Sequence, residues 1–82
     1  MKEILKRLEQ AIERGNAADD AYEQNPESAE AEKEFSEAYA AETEIRKELA
    51  SAIVKFTKQI DFDTAMKMTY NPKLAELINM LA

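Results

Sequence analysis

Between Ser28 and Phe56 the apolar residues recur at alternating steps of three and four: Phe35, Ala38, Ile45, Leu49, Ala52 and Phe56, with Glu42 at the one position where a charge interrupts the series. A mean step of about 3.5 residues belongs to a long amphipathic helix that buries a narrow stripe against a second helix. The pattern predicts an all-α chain, and no constellation of reactive side chains interrupts it.

The preceding stretch supplies the second helix of a pair. Ile4, Leu5, Leu8, Ala11, Ile12, Ala18 and Tyr22 share one side of a helix predicted over residues 2–24. Gly15 follows a basic residue and is a possible stop, but the spacing stays in phase through Tyr22, which favours one continuous helix. Asn25-Pro26 is the clearest punctuation. It reads as an N-cap followed by a proline at the first helical position, opening a helix over 26–58. A tight turn makes the two antiparallel. The expected register sets Gly15 opposite Phe35, Ile12 opposite Ala38 and Tyr39, Leu8 near Glu42, and Leu5 against Ile45.

The longer helix overruns the start of the first, leaving Leu49, Ile53, Phe56 and Ile60 to be covered. The remaining chain provides a cover. Asp61 or Asp63 can cap a short helix over 62–69, and Asn71-Pro72 repeats the opening signal for a helix over 72–81 bearing Leu74, Leu77, Ile78 and Leu81. The expected architecture is a long antiparallel helical hairpin with one or two short helices packed at one end, all within a single domain over 1–82.

Composition narrows the function. With 82 residues, 45% hydrophobic and much of that alanine, the core is thin and self-association is expected. There is no cysteine and no histidine, so thiol nucleophiles, imidazole bases and the usual zinc and iron ligands are missing. A single glycine excludes a glycine-rich phosphate loop. Glu30, Glu34 and Glu37 share a helix face and Asp61-Phe62-Asp63 pairs two carboxylates. Carboxylate di-metal bundles also use a Glu-x-x-His pattern, and a calcium loop needs more oxygen ligands and a glycine turn. The expectation is therefore no catalytic residues, no metal and no cofactor. The first residues mix charge with apolar positions rather than forming a signal-peptide core, and no apolar run approaches the roughly 18 residues of a membrane span. A cytoplasmic protein is expected.

The net charge of −6 is unevenly distributed. Residues 1–25 hold four basic and six acidic groups (−2), residues 26–48 three and eight (−5), and residues 49–82 four and three (+1). From Asp19 to Glu44 the carboxylates Asp19, Asp20, Glu23, Glu27, Glu30, Glu32, Glu34, Glu37, Glu42 and Glu44 face Lys33 alone. Such a surface repels nucleic acid and anionic membranes and attracts basic proteins. It reads either as a solvated face that maintains solubility or as an acidic docking surface.

Tyr22, Phe35 and Tyr39 lie near the hairpin turn, where only small residues such as Ala18, Ala29 and Ala31 can cover them. They read as seam residues, as a homodimer interface, or as the site of another partner. With Asp19, Asp20, Glu23, Glu30, Glu34 and Glu37 they form the candidate partner-binding set. Glu42 is either a buried specificity residue or a seam-edge group reaching water. Met66, Met68 and Met80 read as core fill in a small irregular core, with an adaptable binding surface as the alternative.

The segments Asp20-Ala21-Tyr22-Glu23-Gln24-Asn25-Pro26 and Phe35-Ser36-Glu37-Ala38-Tyr39 resemble, over roughly the first half of the chain, small acidic helical proteins of phages and other mobile elements. The resemblance implies no assigned activity. Some proteins of that broad kind inhibit nucleic-acid enzymes of the host by presenting acidic surfaces. The long seam, the thin core and the aromatics near the turn lead to the expectation of a non-enzymatic interaction module that forms a homodimer through its helical faces. The ten carboxylates from Asp19 to Glu44 lead to the alternative, an acidic inhibitor of a basic, nucleic-acid-binding protein.

Overall fold

A computed structural model describes residues 1–81, with the side chains of residues 1–80. The chain is all-α: α1 (Lys2–Gln24), α2 (Ala29–Thr57), α3 (Phe62–Met68) and α4 (Leu74–Leu81), with no strand among the described residues. The first two pair as an antiparallel hairpin, and α3 packs on α2. The 29 residues of α2 span about 43 Å at about 1.5 Å per residue, most of the 46 Å long axis. Gly15 lies inside an unbroken α1.

The turn differs from the sequence expectation. The second helix begins at Ala29 rather than at Pro26, and its cap is Ser28, whose hydroxyl accepts from the Ala31 N–H at 3.2 Å. Asn25 instead closes α1, donating its N–H to the Ala21 carbonyl at 3.1 Å. Pro26 and Glu27 form a turn closed by the Ser28 N–H on the Asn25 carbonyl at 3.1 Å. Proline is as well suited to the second position of a turn as to the first of a helix. Ser28, with Glu30 and Glu32 in the first helical turn, offers the stronger cap. The same correction applies to Asn71-Pro72. The Asn71 side chain accepts from the Lys73 N–H at 2.8 Å, and the helix starts at Leu74 rather than at position 72.

Because residues 26–28 are spent in the turn, pairing slides toward the C-terminus of α2. The side-chain or backbone atom closest to a Cβ built on Gly15 is Glu42 Oε1, at 3.5 Å, and no Phe35 atom ranks beside it within 4 Å. Phe35 packs against Tyr22 instead, with ring centroids 5.4 Å apart. Arg7 reaches Glu48 at 2.9 Å.

The core lies at the end of the hairpin away from the turn. Leu8, Leu49, Ala50, Ile53, Ala65, Leu74 and Ile78 form one buried cluster, flanked by Ile4, Leu5, Ile12, Ile45, Ile60, Met66 and Met68. Burial of each large aliphatic side chain contributes about 1.5–3 kcal/mol. Toward the turn the buried positions among the described residues are Ala11, Ala18 and Ala38, so the helices meet there without large apolar cover. Two burial expectations fail, one for the stripe residue Phe56 and one for the expected core-fill residue Met80. Phe56 is 54% exposed and Met80 82% exposed, whereas Met66 and Met68 do fill core. The short helices cover the Leu49–Ile53 side of α2 and leave the Phe56 side open. The side chain of Leu81 lies outside the described residues.

Asp61 caps α3 by accepting from the Thr64 N–H at 2.8 Å. Before it, Lys58 closes α2 in the left-handed region at φ 57°.

Candidate functional site

The turn half of the hairpin carries the predicted partner-binding residues. Asp19, Asp20, Glu23 and Glu30 are exposed and take no part in the ion pairs of the described residues. Glu34 and Glu37 depart from the free acidic set. Arg14 Nη2 and Nε grip Glu34 at 2.7 and 2.9 Å across the helix pair, and Lys33 stands 3.9 Å from Glu37. Hydrogen bonds from Arg14 hold the Glu34 carboxyl below the usual carboxylate range.

Spacing then builds a notch. Gly15 and Asp19 stand one turn apart on α1, while Phe35, Tyr39 and Glu42 follow the i, i+4, i+7 line on α2. Together with Asn16 they border an open concavity of about 250 Å³. The absent side chain of Gly15 opens its floor. Tyr39 is 63% exposed and Phe35 half-buried against Tyr22, so the rings wall the notch instead of filling the seam. Of the predicted partner-binding residues, Asp19, Phe35 and Tyr39 line this notch. Asp20, Glu23 and Glu30 do not line the notch.

Glu42 is the hinge between this notch and the rest of the fold. Its side chain is 19% exposed, and Oε2 accepts from Arg46 Nε at 3.0 Å. Arg46 itself is only 7% exposed. Its Nη1 donates to the Thr69 carbonyl, and its guanidinium lies under the Tyr70 ring, 4.0 Å from the centroid. Arg46 therefore caps the end of α3 while neutralising Glu42. Among the described residues every buried side-chain nitrogen and oxygen has a hydrogen-bond partner. The sequence reasoning missed Arg46. The available signal was the Glu42–Arg46 i,i+4 spacing on the same stripe as Leu49 and Ile53.

Two further concavities flank the core. A cleft of about 270 Å³ runs between α1 and the α3–α4 turn, with Leu5, Leu8, Ile12, Arg46, Tyr70 and Leu74 in its wall. An open groove of about 760 Å³ joins Met1, Lys2 and Glu3 to Ala52, Lys55 and Phe56. Among the described residues no three potential metal-ligating side chains converge. No described helix is long and apolar enough to cross a membrane.

No family model matches the sequence, and no curated protein or solved structure matches it.

Proposed function

We propose that the chain is a non-enzymatic protein-binding module that engages a basic partner through the acidic, aromatic half of its hairpin. The observation behind this reading is the contrast between the two ends. Apolar side chains gather at one end, while Asp19, Asp20, Glu23, Glu27, Glu30 and Glu32 stand exposed around the other, outside the ion pairs of the described residues. Unneutralised carboxylates of one sign raise the rate of encounter with a cationic surface, and nearby aromatic rings supply contact area. A nucleic-acid-binding protein, which presents a cationic surface to phosphates, fits that description.

Fluorescence anisotropy with a labelled oligolysine peptide tests the reading. Binding at low salt should weaken as ionic strength rises. It should also fall in Tyr39→Ala, whose net charge is unchanged. Equal affinity of Tyr39→Ala and the parent would reduce the surface to bulk charge and overturn the reading.

Self-association is a second reading, supported by the exposure of Phe56 beside Met1 and Ala52. Light scattering tests it: a dimer that dissociates in Phe56→Glu is expected, and a strict monomer at micromolar concentration removes it.

A further inference from the structure

We propose that the Gly15 notch receives the ammonium group of a lysine side chain presented by the partner protein. This rests on the basic-partner reading and names the contact at its centre. The notch holds about 250 Å³. That exceeds the roughly 30 Å³ share of one water and falls below the about 300–1,000 Å³ of sites for drug-sized ligands. Its size suits one side chain.

The wall chemistry selects the charge. Phe35 and Tyr39 offer ring faces or edges to an entering group, and Asp19 and Glu42 offer carboxylates, while no lysine or arginine lines the notch. Glu42 spends Oε2 on Arg46, and Oε1 is the oxygen that stands over the empty Cβ position of Gly15. With Glu42 balanced by Arg46, Asp19 is the notch carboxylate outside the ion pairs of the described residues, and it disfavours an anion here. A divalent cation of the calcium type wants six to eight oxygen ligands, more than Asp19, Asn16 and a Glu42 already bound to Arg46 provide, and no three potential metal-ligating side chains converge among the described residues. An alkylammonium suits this lining: an aliphatic stem packs on aromatic rings, its charge is attracted to their π-systems, and its N–H donors need the oxygen acceptors that Asp19, Glu42 and Asn16 carry. A side chain at position 15 would occupy the same space, which gives the glycine of an otherwise unbroken helix a role in binding.

The test is an NMR titration of the ¹⁵N-labelled full chain with Nα-acetyl-lysine methylamide, run beside the uncharged Nα-acetyl-norleucine methylamide. Saturable shifts at Gly15, Asp19 and Tyr39 with a millimolar Kd are expected for the lysine compound only. Tyr39→Ala and Asp19→Asn, both at exposed positions, should each weaken it about tenfold. Gly15→Leu, which keeps every charge and both rings, should abolish it while the helical circular dichroism signal is retained. Shifts that fail to saturate, or that norleucine reproduces, overturn the proposal. If oligolysine still binds in a Tyr39-dependent manner while the single lysine compound does not, the notch assignment falls and the wider basic-partner reading stands.

Discussion

The guanidinium of Arg46 lies 4.0 Å from the centre of the Tyr70 ring, so a charge in the middle of α2 is roofed by an aromatic residue from the tail. The same guanidinium binds Glu42 and the Thr69 carbonyl. One side chain thereby ties hairpin to tail and notch to core. Arg46→Ala leaves a mostly buried carboxylate and a buried carbonyl without their donor, and should destabilise the fold by about 3 kcal/mol in urea unfolding. Arg46→Lys should recover only part of this, since an ammonium lacks the planar fork and the stack. Full recovery by lysine would show that the charge alone matters.

The placement of the second helix start gives a paired test. Ser28→Ala removes the hydroxyl that accepts from Ala31 and should cost about 1 kcal/mol. Asn25→Ala should stay within about 0.5 kcal/mol, because that side chain caps nothing. Thermal melts of the two variants settle the order, and a larger loss at Asn25 would return the cap to the Asn-Pro pair.

Two backbone positions offer gains. Lys58 sits at φ 57°, a conformation costing a non-glycine residue about 1 kcal/mol, and Lys58→Gly should raise stability by a similar amount. At Gly15 an added Cβ meets Glu42 Oε1 at an ordinary 3.5 Å. Gly15→Ala should therefore stabilise α1 by about 0.5–1 kcal/mol through helix propensity. Lower melting temperature in either variant would contradict the local geometry.

Acid should act on Asp61 with a defined sign. Hydrogen bonds from Thr64, through its side chain and then its backbone N–H, hold the Asp61 carboxyl below the usual carboxylate range. A lowered folded pKa gives stability that is complete above the unfolded value of about 4 and is lost as pH falls through the folded value. Asp61→Asn keeps an N-cap acceptor without the charge. Its melting temperature should trail the parent at pH 7, and the gap should close below about pH 4. A gap independent of pH would mean that the ionised form is not preferred in the fold.

Residues on one stripe of α2 should differ sharply in importance. Leu49 is fully buried, and Leu49→Ala should cost about 3 kcal/mol. Phe56, more than half exposed, should lose under about 1 kcal/mol on truncation to alanine. Denaturant midpoints at matched slope test the ranking, and equal losses would place a cover over Phe56.

The helical hairpin and the pairing of its two long helices were legible because a 3.5-residue period is a property of local spacing. That Tyr22, Phe35 and Tyr39 lie near the turn was legible for the same reason, since a short turn brings their helices together. The notch itself was not legible. Its floor depends on Gly15 meeting Glu42 instead of Phe35, and that follows from a turn that absorbs residues 26–28. The role of Arg46 was hidden as well, because its partners Thr69 and Tyr70 lie on a different element.

Periodicity, capping residues and charge distribution, all written within a few residues of one another, determined an all-α hairpin with an acid-rich turn half. Tertiary packing alone decided which stripe residues became core, leaving Leu49 and Ile53 sealed under the tail and Phe56 in the open. The physical reason is that burial depends on what arrives from distant sequence. Local spacing states which face of a helix is apolar, and only the path of the tail settles how much of that face is covered.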